Sequence, residues 1–494
     1  MRKRTLHNLG HFKNVTSDMG ELIPVLCEEA LAGDTWKHST NTFMRLLPTL
    51  FPLMHPCHVS IHHWFVPYRL LWEDYEDFIT GGEDGTDASV LPTIDFSGGA
   101  VVTGDLADYL GLPIGFDGTA SALPFRAYAM IYNENYRNDQ LQAELGMSLE
   151  SGADSTTSTA LKNVNWEKDK FTGARADEQL GTSVTLPLGT NAPIYGSNID
   201  FDGVDDANNR MNILNAPGGS LRKMEVGANT VIGGSSAAGT GQLFADLANA
   251  SAPSINDLRQ AFLLQRFLEL RNWTGSDHEE MLKNDFGVTP RDMRIGRPEY
   301  LGGGKETIQF SEVLDTGSSN ANVGDLKGHG IAAMKSNSYM KFFPEHGLVM
   351  TLMSVKPIPM YHQGVRKMWN YDSKEDFYNP ILEGLGVQEI QNQEIYFNHS
   401  TPEGTFAYEP RYDQYRSIPN TIAGDFHDSN LNYAHMARDF SSDPSFNSSF
   451  VTCNPPNNRV FAQSIKDNLL SMNQHKIAAR RIVKKYARPA NLVY

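Results

Sequence analysis

The chain has 494 residues, 40% of them hydrophobic, which is enough to bury a substantial core in one large domain or in several. Its formal net charge of −16, from 42 basic and 58 acidic residues, predicts a soluble protein that as a whole repels nucleic acid. Three widely separated cysteines without Cys-x-x-Cys spacing argue against a disulfide framework and a thiolate zinc site, and no apolar run approaches the ~20 residues of a membrane helix.

The chain opens with a basic segment. Residues 1–13 carry Arg2, Lys3, Arg4 and Lys13 and no acidic residue. No apolar stretch follows them as it does in a signal peptide, so we expect the protein to fold in a reducing cytoplasm.

Residues 20–66 predict strands. Within them, residues 57–66 alternate clearly, with Val59, Ile61 and Phe65 on one face and polar or aromatic residues between them. A proline follows directly and cannot donate a hydrogen bond to a neighbouring strand, so it ends the segment.

Helical spacing appears in four later segments: residues 69–82, 123–142, 255–270 and 277–286. The last two begin with capping-box-like pairs, in which a serine precedes an acidic residue by three positions. These segments predict helices in a chain that is otherwise rich in strand and turn residues.

Between residues 145 and 250 the sequence is rich in Gly, Ser, Thr, Asn and Asp, a composition that cannot form a dense core. Two interpretations fit it: a linker between two domains, or long surface excursions from one domain. The strand-like run at 183–194 interrupts the segment and favours excursions.

Strands return after residue 337. Residues 346–361 form a long apolar run ended by prolines, and 392–397, 405–419 and 445–456 are shorter and aromatic. Strands near both ends of the chain, with helices and loops between them, predict a β-sandwich closed by strands that are distant in sequence.

The chain ends with a second basic segment. Residues 471–494 contain no acidic residue and carry Lys476, Arg480, Arg481, Lys484, Lys485 and Arg488. Basic ends on an acidic body indicate that the ends meet a polyanion while the body faces solvent. The alternative is that both ends are simply solvated tails.

No catalytic or metal site is predicted. His58 and His62 share a face of their strand but lie ~13 Å apart at ~3.3 Å per residue, and His63 points to the other face, so one ion cannot bind them all. The LGGGKETI segment at 301–308 lacks the spacing of a phosphate loop and is better interpreted as a tight backbone turn. We expect neither enzymatic activity nor a cofactor.

Eight segments carry a family resemblance. They are residues 63–79, 123–142, 183–194, 243–262, 286–304, 343–357, 361–380 and 439–462. In this order they resemble the major capsid protein of the gokushovirus-like Microviridae, which are small tailless phages with circular single-stranded DNA. The resemblance covers nearly the whole chain.

The resemblance implies a mainly β fold: an eight-stranded viral jelly roll with long, partly helical insertions, in one domain that spans residues 1–494. It also implies a homo-oligomeric icosahedral shell, with T=1 symmetry, around packaged single-stranded DNA. Residues 195–242 correspond to a variable insertion that projects outward, where host recognition is a reasonable hypothesis. The alternative is a spacer without receptor contact.

From these expectations we predict DNA contacts on the inner surface of the shell. The predicted residues, in the N-terminal segment and in a basic C-terminal tail at 471–494, are Arg2, Lys3, Arg4, Lys476, Arg480, Arg481, Lys484, Lys485 and Arg488. If residues 476–488 are helical, Arg480, Lys484 and Arg488 share one face. The competing interpretation is that this tail binds the acidic surface of a neighbouring subunit.

Further partners are possible in such a particle: spike, pilot or scaffolding proteins and a host surface receptor, but not a membrane. Two rival functions remain open, a carbohydrate-binding β-sandwich and a hydrolase with an unrecognised site. Neither is supported by a motif in the sequence.

Overall fold

The protein is mainly β. The computed structural model describes residues 4–181, 184, 194–196, 199–204, 210–215, 222–225, 243–245, 255–274, 296–314, 326–428, 431–462 and 467–485. Its strands are β1 Thr5–Asn8, β2 His11–Ser17, β3 Leu22–Ala30, β4 Thr35–Leu46, β5 Cys57–Pro67, β6 Thr93–Asp95, β7 Thr119–Ser121, β8 Ile194–Gly196, β9 Ile199–Val204, β10 Arg210–Asn215, β11 Arg222–Glu225, β12 Leu243–Ala245, β13 Glu299–Thr307, β14 Gln309–Leu314, β15 Leu326–Lys335, β16 Tyr339–Phe342, β17 Gly347–Pro357, β18 Val387–Gln391, β19 Thr405–Pro410 and β20 Leu469–Arg481.

Helices are fewer and mostly short. The α-helices are α1 Tyr68–Leu71, α2 Tyr75–Thr80, α3 Leu106–Leu110, α4 Leu123–Asn135, α5 Ile255–Thr274, α6 Ser448–Val451 and α7 Asn457–Val460. The 3-10 helices are Lys367–Trp369, Lys374–Asp376, Leu382–Leu385, Asn392–Glu394, Asp413–Tyr415, Gly424–His427 and Asn432–Ala434. None of the described helices combines the length and the apolar character needed to cross a membrane.

The largest sheet brings the two ends of the chain together. Among the described residues it has seven antiparallel strands in the order β1-β20-β4-β15-β14, with β16 also paired to β4 and β2 to β20. β20 pairs with β4 along twelve residues, from Leu469 opposite Leu46 to Arg480 opposite Thr35. On its other edge β20 pairs with β1 and β2, so the N-terminal and C-terminal basic segments are neighbours.

The second sheet has four strands, again counted in the described residues, in the order β13-β5-β17-β3. β5 and β17 form its antiparallel centre, from Cys57 opposite Pro357 to Pro67 opposite Gly347. The strands predicted at 57–66 and within 346–361 are therefore confirmed, and β5 runs one residue further, into the proline itself.

A shared apolar layer joins the facing sides of the two sheets. Alternate residues of β5, Val59 and Ile61, are fully buried against Met44 of β4 and Met334 of β15. Because successive side chains of a strand point to opposite faces, this alternation places one face of each sheet in the layer. The predicted β-sandwich arrangement follows from this packing.

The other face of the four-stranded sheet is buried too. The intervening residues of β5, Trp64 and Val66, pack with Met350 of β17 against α1, α3 and α4. Between Arg69 of α1 and Arg126 of α4 the chain is acidic: residues 70–125, which include α2 and α3, contain eleven Asp or Glu and no Lys or Arg. One side of the sandwich is therefore covered by an acidic layer.

Several predicted elements differ in the structure. The helix predicted at 123–142 ends at Asn135. The strand predicted at 392–397 is wrong, because its first residues form a 3-10 helix after β18, and the one at 445–456 is wrong, because it contains α6. The helix predicted at 277–286 and most of the strand at 183–194 lie outside the described residues.

The glycine-rich segment at 301–308 is not a tight turn. It belongs to β13, which pairs with β5 from Glu299 to Thr307. A Cβ atom added at Gly303 would lie 2.2 Å from the carbonyl oxygen of Ile61, so only glycine fits this close approach. The physical requirement is backbone contact within a sheet, which a turn interpretation missed.

Residues Glu178–Pro290 form a compact unit separate from the rest of the chain. Its described parts contain the sheet β11-β10-β9, the pair β12-β8 and the long helix α5. The whole range of the predicted variable insertion, 195–242, belongs to this unit. The predicted helix at 255–270 is confirmed as part of α5.

Candidate nucleic-acid interface

The structure places the predicted DNA contacts in three groups. Arg2, Lys3 and Arg488 lie outside the described residues. The second group is exposed to solvent and consists of Arg4, Lys476, Arg480, Lys484 and Lys485. The third is Arg481, which forms a buried ion pair within the subunit.

Arg481 binds within the subunit. Its Nε and Nη2 atoms donate to Oδ2 of Asp34 at 3.0 and 2.6 Å, and the Asp34 side chain is only 1% exposed. The same carboxylate oxygen accepts from the indole nitrogen of Trp36 at 3.0 Å. Arg481 is therefore not available to bind a phosphate.

The predicted C-terminal tail begins as a strand. Residues 469–481 are β20, so a helical face shared by Arg480, Lys484 and Arg488 does not form. Strand alternation instead buries Ile477 and Ala479 in the core and exposes Lys476 and Arg480 on the outer face of the sheet. Lys484 and Lys485 follow the end of this strand.

Further cations share that outer face, and the sequence interpretation missed them. β4 buries every second residue, including Trp36, His38 and Met44, and exposes Lys37 and Arg45 between them. β15 exposes Lys335 in the same way, opposite Asn41 of β4. The near-alternation of residues 35–46 could have shown that Lys37 and Arg45 are exposed, but not that they lie beside the C-terminal cations.

We call this exposed side of the seven-stranded sheet the basic face. Its described cations are Lys37, Arg45, Lys327, Lys335, Lys476 and Arg480. Six of the seven strands, all but β14, contain nine Lys or Arg and no Asp or Glu. Acidic residues that the structure describes near it are Glu312 in the edge strand β14, Asp108 and Asp467 beside β2, and Glu299 beside Lys341 of β16.

The two sides of the sandwich therefore differ in charge. The acidic layer of residues 70–125 packs on the four-stranded sheet, and the basic face lies on the opposite sheet. On a chain of net charge −16, a surface built mainly from strands without Asp or Glu is the place where a polyanion is attracted most strongly.

The histidines of β5 do not converge. His62 lies 2.7 Å from the hydroxyl of Tyr136, whereas His63 lies on the opposite face, within hydrogen-bond distance of Thr351 and Ser336. In the described parts of the chain, no three His, Cys, Asp or Glu side chains are arranged to hold a metal ion. These rings instead connect strands and helices of the core.

Comparison with known proteins identifies the family. The model of the family described as "Capsid protein (F protein)" matches residues 1–490. Capsid protein VP1 of Bdellovibrio phage phiMH2K is 34% identical over 462 residues, which cover 89% of this chain and 86% of the relative. The VP1 proteins of Chlamydia phage 1 and Spiroplasma virus 4 are each 28% identical, over 93% and 91% of this chain and 91% and 88% of their own lengths.

The match covers both sheets, the acidic layer and the strands of the basic face. The three relatives come from viruses of the Microviridae, in agreement with the resemblance carried by the eight sequence segments. The chain therefore belongs to the capsid protein (F protein) family of these phages.

Proposed function

We propose that the chain is the major coat subunit of a small phage, and that its copies close into a T=1 icosahedral shell around single-stranded DNA with the basic face inward. The observation that carries this proposal is the basic face, six of whose strands contain nine Lys or Arg and no Asp or Glu, on an otherwise acidic member of a capsid family. Lysine and arginine neutralise phosphates and release counterions without reading sequence, which suits a coat that encloses a whole genome.

We further propose that the sandwich is an eight-stranded jelly roll. Counting β2, β3, β4, β5, β13, β15, β17 and β20 as strands 1 to 8, the sheets have the orders 1-8-3-6 and 2-7-4-5. Each sheet thus pairs a strand from the start of the chain with one from its end, 1 with 8 and 2 with 7, and continues with strands from the middle, as in two nested Greek keys. This order supports the jelly roll.

The long connections of such a fold are natural carriers of outside contacts. The insertion at 195–242 is proposed to project from the shell and to present the host receptor with a variable surface. Spike, pilot or scaffolding proteins are further proposed partners. A spacer without receptor contact is the alternative for this insertion.

Electron microscopy of the purified full-length chain, with nuclease-protected DNA assayed in parallel, tests the proposal. Uniform closed shells that protect DNA support it. If the chain forms only monomers or small oligomers, and fractions of the assembled virion also lack it, the coat function is wrong.

A matched pair of triple variants tests the predicted cations of the C-terminal segment. Lys476, Arg480 and Lys484, all changed to Gln, should lower the protected DNA per shell and flatten its dependence on salt. The control triple changes Lys168, Arg366 and Lys374 to Gln; these residues are exposed elsewhere on the chain and remove the same charge. Equal DNA content in both variants would remove the predicted residues from the interface.

A further inference from the structure

We infer that the basic face binds unpaired nucleotides in two ways at once, with its cations on the phosphates and its exposed phenylalanine rings stacked on the bases. This inference rests on the proposed function, because packaged single-stranded DNA is the ligand. It adds a binding mode, a preference for single strands over duplex, and residues that are not basic.

Exposed rings are the first observation. Phe12 of β2, Phe43 of β4 and Phe342 of β16 are 62%, 37% and 45% exposed, although phenylalanine is usually buried. All three lie on strands that contain no acidic residue. An apolar patch set among cations marks a binding surface better than a scattered exposed side chain does.

Two of the rings carry a guanidinium beside them. Arg45 Cζ lies 5.7 Å from the centroid of the Phe43 ring, and Arg4 Cζ lies 5.2 Å from that of Phe342. A nucleotide presents a base and a phosphate a few ångströms apart. A paired ring and guanidinium therefore match the two parts of one nucleotide.

The register places these groups along one continuous path. Phe43 lies opposite Met472 of β20 on one side and Ala333 of β15 on the other, and these three side chains lie on the basic face. Lys37 and Arg45 are eight residues apart on β4, which is ~26 Å at ~3.3 Å per residue. That length accommodates several nucleotides of an extended strand.

The shape of the surface favours unpaired bases. A broad sheet face has no helix or protruding ribbon that could enter a duplex groove. Stacking on an aromatic side chain requires a base that is not already stacked and paired in a duplex. The amide of Asn41 donates to the side chain of Gln474 at 3.2 Å, so this central pair is already hydrogen-bonded within the sheet.

Another copy of the chain is the main rival occupant. The exposed rings, with Met340 and Met472, would also suit a subunit contact, and the acidic residues 70–125 of a neighbour offer complementary charge. The pairing of each guanidinium with a ring favours nucleotides, because the carboxylates of a neighbouring copy would bind the guanidinium but would not stack on the ring. The experiment separates the two occupants.

Binding of a fluorescent 20-nucleotide oligothymidine to the full-length chain, measured by anisotropy at several salt concentrations, tests the inference. Phe12 and Phe43, both changed to Ala, should weaken binding at least tenfold without changing the salt slope, because each stacked base contributes ~1–3 kcal/mol. The control changes Phe377 and Phe397 to Ala, two phenylalanines that are 60% and 61% exposed elsewhere.

A charge variant completes the design. Lys37 and Arg45, both changed to Gln, should reduce the slope of log affinity against log salt by about 1.4, since each phosphate contact on a single strand contributes about 0.7. A duplex of the same length should bind the unmodified chain more weakly than the oligothymidine. Equal or tighter binding of the duplex overturns the preference for single strands.

The outcomes also separate this inference from the coat function. If shells form and protect DNA but the ring variant binds like its control, stacking is wrong and the coat function stands. If the ring variant binds oligothymidine normally but no longer forms shells, the basic face is a contact between copies and the inference is wrong. If no variant and no unmodified chain forms shells or binds DNA, both fail.

Discussion

Arg481 and Asp34 form an ion pair that fastens the C-terminal end of β20 to the turn between β3 and β4, with Nη2 of the arginine 2.6 Å from Oδ2 of the aspartate. Gly33 makes that turn with a positive φ of 88°. The neighbouring residue of β20, Arg480, is exposed instead. Of these two consecutive arginines, Arg481 thus stabilises the fold, whereas Arg480 lies on the surface.

Replacing Arg481 with Gln should lower the free energy of unfolding by about 3 kcal/mol, because the buried Asp34 carboxylate loses its cation. The same change at Arg480 should cost less than about 0.5 kcal/mol, since an exposed side chain is replaced. Urea unfolding of unassembled subunits measures both. Equal stabilities of the two variants would contradict the assigned roles.

Close backbone contact explains Gly303 of β13. Gly303→Ala should lower the free energy of unfolding by roughly 2 kcal/mol or more, because the new methyl group meets the Ile61 carbonyl oxygen and the pairing of β13 with β5 must shift. Gly98→Ala is the matched control, since its added Cβ meets no atom within 4 Å. Thermal unfolding distinguishes them, and a fully stable Gly303→Ala protein would rule out this close approach.

The acidic layer is held by a buried ion pair. Arg126 of α4 and Asp154 are both fully buried and lie 2.8 Å apart, and Arg126 also donates to the carbonyl oxygens of Leu71 and Glu150. Arg126→Met should therefore cost about 3–5 kcal/mol, because a buried carboxylate and two carbonyls lose their donor.

Arg137→Gln is the control for that change, since its partners Asp139 and Glu144 are largely exposed. It should cost at most about 1 kcal/mol. Denaturant unfolding of both variants is the measurement. If Arg126→Met unfolds at the same denaturant concentration as the unmodified chain, the pair does not hold the layer.

A feature could be predicted from the sequence where the residues that determine it are close together in the chain, and not where they are far apart. The alternation of residues 57–66 is local and predicted β5 correctly. The role of Arg481 depends on Asp34, far away in sequence, and a count of charges could not separate it from Arg480. Lys37 and Arg45 were missed for the same reason, because only the pairing of β4 with β20 places them beside the C-terminal cations.

A buried histidine network links the two sheets. The ring centroids of His38 in β4 and His63 in β5 are 4.6 Å apart. The hydroxyl of Thr40 lies 3.2 Å from Nε2 of His38 and 3.0 Å from Nδ1 of His475. Each ring is fully buried and hydrogen-bonded, so the network has no room for added positive charge.

The network should make the subunit acid-sensitive. Burial, together with the neighbouring rings of His475 and His62, lowers the pKa of His63 to about 3. Burial also lowers the pKa of His475 to about 4, with smaller contributions from His11 and Lys13. The unfolded chain, with histidine pKa values of ~6.5, binds more protons below that pH.

Stability from these two histidines is therefore complete above about pH 6.5. It falls as the pH drops toward the folded pKa values, by at most about 1.4 kcal/mol per pH unit for each ring. Urea unfolding between pH 5 and 7 measures the slope. His63→Gln should reduce it, whereas His346→Gln, at an exposed position, should leave it unchanged. An unchanged slope in His63→Gln would show that this ring does not couple stability to pH.

The most direct test of the coat function and its orientation is a cryo-electron microscopy reconstruction of DNA-filled particles built from this chain. We expect closed shells in which β4, β15 and β20 line the interior, with density for nucleic acid against Lys37, Phe43 and Arg480, and with the acidic layer away from the genome. A reconstruction with the basic face on the outer surface, or wholly buried between subunits without nucleic acid, would contradict the account.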